Sequence, residues 1–141
     1  MTMKPLHPIV VHFPIALLPL SVAADFVGFF ADIASLRHTG WWALLGAAGG
    51  GTAAVAAGLY DMHRAALSEA VHHRVHRHRL VGLVLLAAII GLTFWRWAVY
   101  AADGVVPMVY LDLAVLTVAL AAFQGWLGGE LVYRWRFRSS G

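Results

Sequence analysis

Four apolar stretches of about twenty residues dominate the chain, at roughly 8–30, 41–60, 80–100 and 108–131, and each is long enough to cross a bilayer. Polar and charged residues collect in three short gaps, ADIASLRHTG, DMHRAALSEAVHHRVHRHR and AADGVVP. Short connections make successive spans antiparallel neighbours. The pattern predicts an all-α integral membrane protein, one domain over residues 1–141, folded as an up-down four-helix bundle.

Composition agrees. Of 141 residues 61% are hydrophobic and 12% charged, about half the charged fraction of a soluble domain. Cysteine is absent, which excludes disulfides, thiolate metal sites and c-type haem attachment. The net charge of +3 speaks to orientation and lipid contact rather than nucleic acid. Lys4, Arg64, Arg74, Arg77, Arg79, Arg134, Arg136 and Arg138 fall on one side of the predicted membrane, and only Arg37 and Arg96 on the other. The positive-inside rule then places both termini in the cytoplasm of a bacterial inner membrane. Trp41, Trp42, Trp95, Trp97, Tyr100 and Tyr110 would form the far aromatic belt, with Trp126, Tyr133 and Trp135 in the near one. The first stretch continues apolar through Phe30, as expected of an uncleaved span rather than a signal peptide.

The second span carries Gly46, Gly50, Ala54 and Gly58 at every fourth position, and the fourth span carries Ala121, Gly125 and Gly129. Such faces let backbones approach closely. They also offer a smooth wall to a flat cofactor.

Eight histidines are many for this length, and seven gather at the predicted cytoplasmic end: His7, His12, His63, His72, His73, His76 and His78. Neutral imidazole ligates haem iron, copper, zinc and nickel, and titrates near neutral pH. His12 has apolar neighbours on both sides, and an ionisable group inside a span is a functional candidate. With His78, which leads directly into the third span, it makes the expected axial pair for haem b, His76 and His7 being substitutes. A bare zinc, copper or nickel ion would instead draw on His7, His12, His72, His76, His78, Asp61 and Glu130, His72 and His76 sharing a helix face at i, i+4. Pro14 removes the amide that would bond Val10, and Pro19 repeats this at Ile15. If the helix opened at Phe13 or Pro14, residues 7–12 would form a short re-entrant segment. Asp25, Arg96 and Asp112 have matching depth near the opposite face, which predicts an intramembrane ion pair. Ser21 and Ser35 lack a nearby base, and no nucleophile motif or phosphate-binding glycine loop is present, which argues against hydrolysis.

HPIVVHFPIALLPLSVAADFVGF near the start and GWLGGELVYRW near the end resemble a family of small bacterial membrane proteins known as domain of unknown function 2231 (DUF2231). The matching positions are His7, Pro8, His12, Pro14, Gly128, Gly129, Leu131, Val132, Tyr133 and Arg134. Asp61, and His76 or His78, also fit the family pattern. The chain departs from it at Trp135, Arg136 and Phe137, where many relatives have His-Gly-x-Gly-Val, so a site histidine there would be lacking. The resemblance implies four spans. Because some relatives are joined to cytochrome-like modules, it also implies redox work.

The leading expectation is a b-type cytochrome that transfers electrons with quinone or a redox protein. Alternatives are metal binding or transport, and an accessory subunit of a respiratory or photosynthetic complex. A homo-oligomer or a larger membrane assembly fits any of the three.

Overall fold

A computed structural model describes residues 6–64, 69–101 and 105–135. Lys4, Arg136, Phe137 and Arg138 lie outside them, as do the side chains of Tyr100, Val132, Tyr133, Arg134 and Trp135. The elements are α1 (His7–Val10), α2 (His12–Phe30), α3 (Ala34–Arg64), α4 (Glu69–Ala101) and α5 (Met108–Trp135). Four helices are long and apolar enough to span a membrane, α1 and α2 together forming the first.

The interruption at Val11 has a local cause. Pro14 has no amide to give the Val10 carbonyl, and the helical ladder breaks there. Val11 itself keeps helical dihedrals (φ −61°, ψ −21°), and its carbonyl accepts from Ile15. The span is therefore continuous from His7 to Phe30, and no re-entrant segment precedes Phe13. Pro19 lies within α2 without ending it.

The turn between α2 and α3 explains their tight pairing. Asp32 adopts φ 53°, a left-handed conformation that aspartate tolerates better than most residues. Ile33 N–H reaches back to Gly28 O at 3.1 Å, closing α2 in a Schellman-type cap. Arg37 Nη1 donates to Asp32 Oδ1 at 2.8 Å and to Gly28 O at 3.1 Å.

From this turn α3 runs back along α2, and its small residues form the track. A Cβ on Gly46 would sit 2.8 Å from Leu17, and one on Gly50 2.9 Å from Phe13. Gly46 and Gly50 on this face thus serve helix packing, while Gly58 at its end makes room for the His7 ring. The helices touch in the order α2–α3–α4–α5 and back to α2, an all-helical four-membered bundle.

The core lies in the middle and toward one end. Leu18, Leu44, Ala47, Ile89, Leu92 and Tyr110 form its centre. At that end, Arg96 Nη2 on α4 lies 2.8 Å from Asp25 Oδ1 on α2 and donates also to Arg37 O at 2.8 Å. Both side chains are almost fully buried, 2% and 1% exposed. Ser21 Oγ donates to Gly40 O nearby. Asp112 does not join the pair, because it faces outward on α5. The aromatic belt needs a similar correction. Trp42 and Trp97 are exposed, whereas Trp41 and Tyr110 are buried and belong to the bundle interior.

Candidate functional site

The opposite end is built around His7. Its amide, left without an intrahelical partner in the first turn of α1, donates to Asp61 Oδ2 at 2.9 Å. Asp61, at the end of α3, thus caps α1, where a carboxylate is favoured. The His7 ring contacts Ala54 O through Nδ1 at 2.7 Å. A carbonyl only accepts, so Nδ1 carries the proton and Nε2 keeps its lone pair. Metal-ligating histidines are commonly oriented in this way.

His78, on α4, stands edge-on to His7, with ring centroids 6.0 Å apart and planes at 90°. Gln124 on α5 holds it. The amide nitrogen donates to His78 O at 3.0 Å and faces His78 Nε2 at 3.3 Å. Since the amide nitrogen only donates, Nε2 accepts, and the neutral ring carries its proton on Nδ1. Glycines make room for both rings. A Cβ on Gly58 would lie 3.1 Å from His7 Nδ1, and one on Gly128 would lie 3.1 Å from His78 Cε1.

Two cavities flank this histidine pair, and His7, Pro8, His78 and Gln124 line both. The larger, about 450 Å³, lies between the first span and α4–α5, and His12 opens onto it. His12 is otherwise exposed, and its Nδ1 makes a long contact of 3.4 Å with Ile9 O in its own helix. The far wall is the small face of α5, Ala121, Gly125 and Gly129. A Cβ on Gly125 or Gly129 would meet nothing within 4 Å. The smaller cavity, about 330 Å³, lies between α3 and α4. Both fall within the size range of ligand sites.

The remaining candidates lie elsewhere. His63, His72, His73 and His76 are exposed, and His76 Nδ1 contacts Arg79 Nη2 at 3.1 Å. Glu130 lies 3.9 Å from Arg74. The seven-residue metal set is therefore not assembled. Among the described residues no group of three or more histidine or acidic side chains is placed to hold a metal ion. Gln124 joins the histidines at the site, and its signal in the sequence is a lone amide within an apolar span.

The glycine contacts make a stability prediction. Gly128→Leu is expected to cost about 1–3 kcal/mol by overpacking His78. Gly125→Ala, facing open space, should change stability by less than about 0.5 kcal/mol. Thermal unfolding in detergent compares the two, and equal effects would mean that His78 is not packed against α5.

The fold and site define a multi-pass α-helical membrane protein with a histidine-centred pocket at one end of its bundle. The chain belongs to the DUF2231 family, described as predicted membrane proteins, whose model matches residues 3–141. Comparison with curated proteins and with solved structures finds no match.

Proposed function

We propose that this protein is a membrane b-type cytochrome that holds haem in the larger cavity and exchanges electrons with a lipid-soluble or protein partner. One observation carries the reading: three imidazoles and an open small-residue wall meet on a single cavity. That wall is a cradle which side chains larger than glycine would fill, as a planar macrocycle requires. His12 from α2 and His78 from α4 would hold the iron, with His7 as the substitute. His12 and His7 have Nδ1 turned to carbonyls, which leaves Nε2 for ligation. His78 would have to exchange its 3.3 Å contact with Gln124 for the metal. Bound haem supplies one-electron transfer at an iron whose potential depends on its axial ligands and surroundings. The apolar walls would exclude water, the Ala54 carbonyl would orient the His7 ring, and Gln124 would keep its bond to the His78 carbonyl. The excess of arginine and lysine at this end supports its placement in the cytoplasm of a bacterial inner membrane.

A bare metal ion has less support, because the third ligand is not within reach of the His7–His78 pair among the described residues. An absorption spectrum tests the choice. The purified protein is expected to show a Soret band with stoichiometric haem, and to lose it in His12→Ala and Gly125→Leu with helicity retained. A fully helical protein without a Soret band after expression with ample haem overturns the proposal. Zinc, copper or nickel in stoichiometric amount would replace it.

A further inference from the structure

The smaller cavity is independent of the glycine wall and has its own chemistry. Val55, Leu59 and Met62 of α3 face Val75 and Leu83 of α4 across it, and its lining is almost wholly apolar. Behind that lining lie polar atoms with unused bonding capacity. Arg79 Nε, His78 Nδ1 and Gln124 Oε1 are buried without a hydrogen-bond partner, and all three residues line the cavity. Buried polar groups are normally paired, and the need is greater where lipid replaces water.

The identities of these atoms restrict the ligand. Arg79 Nε carries a hydrogen and donates only. His78 Nδ1 is also a donor, because its Nε2 accepts from Gln124. Gln124 Oε1 carries no hydrogen and accepts only, and the bond from the amide nitrogen to His78 O fixes which atom of the amide it is. Two donors and one acceptor therefore lie just behind the wall of an apolar space that opens between two membrane helices. A neutral ring with carbonyl or hydroxyl oxygens and an apolar tail satisfies all of these conditions.

We infer that the smaller cavity is the binding site for an isoprenoid quinone. The tail lies between α3 and α4, and the head group meets Arg79, His78 and Gln124 as these side chains turn toward it. A quinone carbonyl accepts from the two donors, and a quinol hydroxyl can also donate to Gln124. The inference rests on the redox reading only for the choice of a quinone among lipids with such head groups. It places the lipid-soluble partner beside His7 and His78, which also line the larger cavity.

The test uses the purified protein in phosphatidylcholine nanodiscs, titrated calorimetrically with decylubiquinone and, separately, with 1-decanol as a tail-only control. Haem content is read by absorbance in the same samples. Saturable decylubiquinone binding is expected. Weakening by about tenfold or more is expected in Val55→Trp, which fills the cavity, and in Arg79→Met, which keeps the stem but removes the donors. Val55→Trp should leave the haem spectrum unchanged. Three results overturn the inference: no saturable binding by folded protein, equal binding of 1-decanol, or binding unaffected by both variants. Displacement by phosphatidylglycerol at equal concentration also overturns it, in favour of an anionic lipid. A missing Soret band with intact quinone binding would defeat the haem proposal alone.

Discussion

Asp25→Leu is expected to destabilise the protein by about 3–5 kcal/mol, because it leaves the Arg96 guanidinium buried without its counter-charge. The cost arises from isolation of the charge more than from loss of the bond. Arg96 keeps the Arg37 carbonyl as an acceptor, but a carbonyl offers no neutralising charge. The double substitution Asp25→Leu with Arg96→Leu should therefore recover most of the loss, since an apolar pair of similar volume is often neutral or better in such a position. Unfolding in detergent, followed by circular dichroism for both singles and the double, measures the coupling. A single substitution as mild as the double would mean that the pair is not shielded from water.

A second destabilisation, beside the same ion pair, is expected at Gly40. A Cβ there would lie 2.3 Å from Asp25 Oδ1, a separation that cannot persist. The carboxylate cannot simply swing away, because Arg96 holds it. Gly40→Ala should cost about 1–3 kcal/mol through overpacking and displacement of the ion pair. In the Asp25→Leu background the penalty should change, since the fixed carboxylate is gone. The same unfolding assay reads this, and strict additivity would show that Gly40 and Asp25 do not press on each other.

The legible and illegible parts of this molecule divide along a physical line. Depth in the membrane can be read from the chain, because apolar runs and short gaps set where each residue stands along a helix. Asp25 and Arg96 stand at one level, and His7, His78 and Gln124 stand near the other end, by that count. Azimuth could not be read. A helix in lipid is apolar on nearly every side and gives no polar face to orient it. Hence Asp112 has the depth of the ion pair but points outward, and His76 turns to Arg79 while His78, two residues later, turns inward. The same gap explains the two small faces. Both have the four-residue spacing, yet the one on α3 is pressed against α2 and the one on α5 looks into a cavity. Spacing reports that a neighbour can come close, not whether one does. Helix length was a further surprise. α3 and α4 continue beyond their apolar stretches to 31 and 33 residues. That carries them well past the roughly 20 residues a bilayer requires.

The buried ion pair lies at one end of the bundle, while the two histidine-lined cavities lie toward the other. The histidine end is thus tied across open space by a few hydrogen bonds, His7 to Asp61 and Gln124 to His78, like the prongs of a tuning fork joined by threads. Local opening is expected to begin at the prongs, which enclose open space, before the buried ion pair parts. A ligand held between the prongs would add its affinity to the stability of that end, by mass action. Loaded and empty forms would then differ mainly in the rigidity of the helix ends that carry His7 and His78.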